Sequence, residues 1–194
     1  AACHATKAAQ CYGCHAKQKE AFERSKLHSA IKIAAKDGTQ KRAGCVSCHD
    51  PHASKDKGLL RATGNDLCFS CHQRGPFVKA VTHAPVTQSC RTCHDPHASP
   101  EPKGLAKAAK ALCQDCHNVA QPKVQAAHSG YPMKDTACIT CHAPHSSTQA
   151  KLIRDAKHVV MADGGCPTCH VDAKSPAPFK TTAEPPALCV SCHA

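Results

Sequence analysis

Residues 45–72 read CVSCHDPHASKDKGLLRATGNDLCFSCH. This stretch holds two copies of Cys-x-x-Cys-His, one on Cys45, Cys48 and His49 and one on Cys68, Cys71 and His72, joined by a basic linker. In such a motif two thiols separated by two residues reach one edge of a porphyrin, where they add across its vinyl groups. The histidine that follows is then placed under the ring to coordinate its iron. A zinc ribbon or a redox dithiol also uses Cys-x-x-Cys, but neither needs a histidine directly after it.

Outward from this stretch the motif recurs along the whole chain. The other copies are Cys11/Cys14/His15, Cys90/Cys93/His94, Cys113/Cys116/His117, Cys138/Cys141/His142, Cys166/Cys169/His170 and Cys189/Cys192/His193. Eight copies account for all but one of the 17 cysteines, so the expected cofactor complement is eight covalent c-type haems. The chain also has 16 histidines. Outside the motifs stand His4, His28, His52, His83, His97, His128, His145 and His158, one for each iron's remaining axial position. Met133 and Met161 are too few for that task. Bis-histidine ligation throughout implies low reduction potentials, since a methionine ligand raises them.

His52, His97 and His145 each lie three residues beyond a motif histidine, in CHDPH, CHDPH and CHAPH. The two axial nitrogens of one iron lie on opposite faces, about 4 Å apart. Each of these histidines is therefore expected to reach a neighbouring haem rather than its own, with the intervening proline stiffening the turn. The remaining five precede a motif.

The spacing is periodic. Cys45 to Cys68, Cys90 to Cys113 and Cys166 to Cys189 each span 23 positions, and Cys45 to Cys90 spans 45. The unit reads histidine, CxxCH-x-P-H, basic linker, second CxxCH. Residues 1–44 form a one-haem N-terminal segment and 45–194 a series of two-haem units, together expected to be a single domain. The stretch from Gln18 to Lys36, containing His28, and the stretch Lys103–Leu112 read as helices. Between motifs stand Ser99-Pro100-Glu101-Pro102, Gly164-Gly165 and the proline-rich 174–186. The expected fold is mostly irregular with short α-helices, elongated, wrapped around a chain of haems, with little or no β-sheet. Aromatic residues make up 3% of the 194 residues and tryptophan is absent. The haems must therefore supply the apolar volume that the side chains lack.

The formal charge of +11 invites a nucleic-acid reading. Eight haems change that sum: their propionates add about −16 and eight ferric centres return about +8. The basic residues read better as propionate partners, and no basic patch interleaved with stacking aromatics points to nucleic acid. No apolar run approaches the ~18 residues of a spanning helix. With no secretory signal present, the chain reads as a mature, exported protein of the periplasm, cell surface or extracellular space.

The CHDPHAS segment, the LL…LCFSCH that follows it and HAPV before the next motif resemble the doubled-CxxCH class of multihaem c-type cytochromes, over residues 28–193. The resemblance implies electron transfer between stacked and T-shaped haem pairs. Its members serve as periplasmic shuttles, porin-associated conduits or subunits of extracellular filaments. The function expected here is electron transfer along eight bis-histidine haems, for long-range or extracellular transfer, with redox proteins or extracellular acceptors as partners and identical subunits in the filament case. The alternatives are a soluble shuttle or porin-associated conduit and, ranked below them, a multihaem oxidoreductase. Catalysis needs an open iron position, whereas enough histidines exist to close every one, so no enzyme activity is expected. His4 and His193 would tie both ends of the chain to haems. Those haems are expected at opposite poles, a placement that suits head-to-tail assembly with His4 reaching across a subunit boundary. The other arrangement is a monomer in which His4 folds back onto the haem of Cys11 and Cys14. Cys3 is expected to be an unpaired thiol; a disulfide between chains or a lipidated cysteine are the alternatives.

Overall fold

The structure is a computed structural model and describes residues 11–23, 26–28, 31, 44–163 and 165–193. Cys3, His4 and positions 32–36 of the expected first helix lie outside them. The described chain is mostly irregular, with short helices and two-residue strands. In chain order these are α1 (Ala16–Glu23), β1 (Lys26–Leu27), α2 (Gly64–Phe69), β2 (Val81–Thr82), α3 (Ala84–Gln88), β3 (Ala98–Ser99), α4 (Ala109–Gln114), α5 (Pro122–Ala127), β4 (Ser146–Ser147), α6 (Cys166–Cys169) and α7 (Ala187–Val190). Three of them, α3, α5 and α6, have proline in the first turn, where the missing N–H costs nothing and the fixed φ suits a helix start. No helix is long and apolar enough to cross a membrane among the described residues.

The chain divides into two compact units, Ala1–Ala108 and Ala109–Ala194. In the first, β1 pairs antiparallel with β3, Lys26 opposite Ser99 and Leu27 opposite Ala98. The His28 N–H continues this ladder by donating to the His97 carbonyl at 3.0 Å. The continuous helix expected from Gln18 to Lys36 is thus corrected. Helix α1 occupies Ala16–Glu23, and Lys26–Leu27 give their backbone groups to the strand Ala98–Ser99. Tertiary pairing has overridden local propensity. The second expected helix is corrected too: α4 begins at Ala109, not Lys103. Lys103 and Gly104 are left-handed (φ 60° and 67°), and Leu105 bridges back to His94, so neither can continue a helix.

In the second unit Tyr131 is 1% exposed, and its hydroxyl donates to the Val171 carbonyl at 2.8 Å and lies 3.3 Å from that of His170. Among the described residues it is the only apolar or aromatic side chain that is fully enclosed. The described polypeptide by itself has almost no core.

Candidate haem-binding sites

All eight motifs share one local structure. The histidine N–H donates to the carbonyl of the first cysteine, at 2.9 Å in His15, His72, His142, His170 and His193 and at 3.0 Å in His49, His94 and His117. That single helical turn is what two intervening residues permit. It puts both thiols on one side and the imidazole beside them.

Around this common turn the motifs fall into two groups. Those beginning at Cys45, Cys90, Cys138 and Cys166 open a loop that closes on itself. His49, His94, His142 and His170 form isolated bridges with Leu60, Leu105, Ile153 and Thr181, each eleven residues on. The N–H groups of Arg61, Ala106, Arg154 and Thr182 then donate to the carbonyl of the second cysteine, each at 2.9 Å. A serine pins the loop in three of them. Ser54, Ser99 and Ser147 donate to the carbonyls of Leu60, Leu105 and Ile153 and accept from the N–H of Asp56, Glu101 and Gln149. Arg61 and Arg154 add a guanidinium bond to the carbonyls of Val46 and Ile139, at 2.8 and 2.9 Å.

The other group is tied to helices. Cys68 lies in α2, Cys113 in α4 and Cys189 in α7, while Cys11 and Cys14 precede α1. Here the second cysteines Cys14, Cys71, Cys116 and Cys192 are exposed, as are His15, His72, His117 and His193. In the loop group Cys48, Cys93, Cys141 and Cys169 and their histidines are half-buried.

The loop geometry also fixes a tautomer. The Nδ1 atoms of His49, His94 and His142 lie 2.6, 3.1 and 3.0 Å from the carbonyls of Gly58, Lys103 and Lys151. A carbonyl can only accept, so the proton sits on Nδ1 and Nε2 keeps its lone pair for a metal. His128 does the same with the Val124 carbonyl at 2.8 Å.

The spare histidines can be tested against a haem by distance. An imidazole nitrogen binds a transition metal at about 2 Å, so the centroids of two imidazoles on opposite sides of one iron lie about 6 Å apart. Among the described residues, these pairs have that separation. His28 faces His72 at 6.1 Å, His97 faces His49 at 6.1 Å, His128 faces His142 at 6.1 Å and His158 faces His193 at 5.8 Å. Every pair joins one spare histidine to one motif histidine. The residues fit the cofactor. Burial first, and then the neighbouring His72, lower the His28 pKa; burial also lowers that of His97, opposed by Asp95 and aided by His49 and Arg91. Both shifts favour the neutral, ligating form.

His97 lies opposite His49 rather than His94, the histidine of its own motif. The CHDPH turn that presents it is built by Asp95, whose carboxylate accepts from the His97 N–H at 2.8 Å; Asp50 does the same for His52 at 3.2 Å. His52 is exposed, His83 stands half-buried between β2 and α3, and His145 is half-buried just before β4. His4 lies outside the described residues.

Thiols of successive motifs also approach one another. Burial first, and then the adjacent Cys90 thiol, push the Cys68 thiol up to about 11, and Cys45 is raised in the same way by burial and Cys11. Asn65 clamps the Cys68–Cys90 approach, donating to the Val86 carbonyl at 2.7 Å and accepting from the Cys90 N–H at 2.8 Å. Asn65, the three loop serines and Tyr131 were not legible as site residues, because none carries metal chemistry and each acts through backbone groups distant in sequence. The recurrence of serine five residues after a motif histidine (Ser54, Ser99, Ser147, Ser175) was the available signal.

The family model described as the doubled CXXCH motif matches residues 39–76, 83–122, 131–157 and 158–194. Over 82 residues the chain is 38% identical to a protein of Shewanella baltica (strain OS185) named multiheme cytochrome MtrA. That stretch covers 41% of this chain and 22% of the relative.

Proposed function

The chain belongs to the doubled CXXCH family of multihaem c-type cytochromes, and we propose that it conducts electrons through eight covalently attached, bis-histidine haems. The observation that carries this reading is the set of four histidine pairs at 5.8–6.1 Å, each joining a motif histidine to a spare one. Haem iron, when bound, cycles between ferric and ferrous states and so carries one electron at a time. The protein's residues do the rest. Paired imidazoles would hold an iron from both sides and so leave it no position for a substrate. Carbonyl bonds to Nδ1 hold the His49, His94 and His142 rings in one tautomer and one orientation. Low potentials follow from having histidine on both sides.

The thiol approaches of Cys11 to Cys45 and of Cys68 to Cys90 support close spacing of successive haem edges in the first unit. A relative named as a multihaem cytochrome supports redox partners, and long-range or extracellular transfer by an exported protein is the task proposed for this chain. The shuttle, the porin-associated conduit and the filament subunit differ in assembly, and electron microscopy with sedimentation of the native protein separates them. The test of the core reading is haem quantification together with magnetic spectroscopy of the oxidised protein. Eight haems, all low-spin, are expected. A stoichiometric high-spin fraction, or carbon monoxide binding to the native ferrous protein, would sink it.

A further inference from the structure

The loop that follows Cys166 breaks a pattern kept by its three siblings. In those, the carbonyl nine residues after the motif histidine accepts from its Nδ1–H (Gly58, Lys103 and Lys151). The carbonyl turns inward because the chain there is left-handed, with φ of 74° and 55° at Gly58–Leu59, 60° and 67° at Lys103–Gly104, and 56° and 57° at Lys151–Leu152. The fourth loop has Pro176-Ala177-Pro178-Phe179-Lys180 in the corresponding place, and none of these residues is left-handed. His170 Nδ1 is buried without a hydrogen-bond partner. Ser175, which stands where Ser54, Ser99 and Ser147 pin their loops, has a buried hydroxyl that is also unpartnered.

What surrounds His170 instead is aromatic. Phe179 meets its ring edge-on at 6.0 Å, Tyr131 at 6.4 Å, and the two aromatics lie 5.5 Å apart. An unpaired buried donor destabilises the fold, so its presence in one loop of four asks for a reason.

We propose that the haem held by Cys166, Cys169 and His170 has a higher reduction potential than those held by His49, His94 and His142, and is the electron sink among the four loop sites. The proposal rests on the haem-binding reading above. An Nδ1–H bond to a carbonyl makes an imidazole a stronger donor to its metal, which favours the more positive ferric ion. Without that bond His170 is the weaker donor, and ferrous iron is favoured. The enclosed Tyr131 acts in the same direction, because an apolar surrounding disfavours the extra positive charge, and the partly exposed Phe179 adds apolar surface at the ring edge. The step itself balances simply: a ferrous neighbour loses one electron, the ferric iron at His170 gains it, and no proton or covalent bond changes.

The test is a redox titration of the fully loaded protein followed by NMR, with each haem assigned through contacts to its own motif. The His170 haem should be the first of the four loop haems to become reduced as the potential is lowered. Phe179→Gly with Lys180→Leu, which rebuilds the Gly58-Leu59 turn, should move that haem later in the sequence and leave the His49 haem in place. The reverse exchange, Gly58→Phe with Leu59→Lys, should move the His49 haem earlier. Eight low-spin haems with the His170 haem reduced together with or after its siblings would overturn the proposal alone. A missing or high-spin centre at His170 would overturn the eight-haem reading and this proposal with it.

Discussion

The loop motif at Cys45 and the helix motif at Cys68 have the same five-residue turn but different settings. His49 is half-buried, bridged to Leu60 and bonded through Nδ1 to Gly58 at 2.6 Å. His72 is exposed just beyond the end of α2. The stretch between them, residues 50–67, forms the closing part of the first setting and the opening of the second. A doubled motif is therefore more than two equal sites in series. One site is enclosed by its own loop, and the other faces outward from a helix end, suited to exchange with a neighbour or the surroundings.

The largest test of this contrast removes what both settings share. Among the described residues only Tyr131 is an enclosed aromatic or apolar side chain, so the chain cannot offset its conformational entropy by side-chain burial. Protein produced without haem attachment is expected to be unfolded by circular dichroism and unprotected in hydrogen exchange, at loop and helix motifs alike. A folded haem-free chain would show that the loops are self-sufficient.

Next comes removal of one distal ligand from each setting. His97→Ala should open the iron facing His49, and His28→Ala the iron facing His72, each converting one low-spin centre to one that binds carbon monoxide when reduced. The gas should enter faster at the exposed His72 site. Finding the new centre of His97→Ala at the His94 haem would undo the ligand pairing.

A smaller effect separates the serines of the two settings. Ser99 is 2% exposed and pairs with the Leu105 carbonyl and the Glu101 N–H, so Ser99→Ala should destabilise the holoprotein by about 1–3 kcal/mol. Ser70 is exposed and donates to Leu67 within its own helix end at 2.7 Å, so Ser70→Ala should cost less than about 0.5 kcal/mol. Denaturant titrations of the two variants decide whether the loop is the more tightly specified.

The smallest effect concerns the link from helix α4 to the approach to the Cys138 loop. The Lys110 ammonium, 2.8 Å from Asp135, holds that carboxyl below its ordinary range, chiefly through their hydrogen bond. A lowered folded pKa means that the pair's contribution is present above the ordinary carboxylate pKa and is lost as pH falls through the folded value. With both groups largely exposed, Lys110→Gln should return Asp135 to ordinary titration by NMR while leaving the melting temperature almost unchanged.

The eight motifs and the number of spare histidines were determined by sequence alone, because each motif depends on residues within five positions of one another. The mostly irregular chain followed from the same reading: motifs and prolines recur too often for long helices. Local reasoning failed where backbone groups found distant partners. Lys26–Leu27 left a helix-compatible stretch to pair with Ala98–Ser99, and Leu105 broke another by bridging to His94. Which histidine faces which was likewise beyond spacing. His97 is three residues from His94, yet it stands opposite His49, because the Asp95 turn and the β1–β3 ladder aim it there. Tertiary structure also decided that four identical motifs are unequal. Pro176 and Pro178 stand where Pro100 and Pro102 stand in a sibling loop, yet Phe179 and Lys180 do not make the left-handed turn of Lys103 and Gly104, and the buried Nδ1 of His170 is left with no carbonyl to meet it.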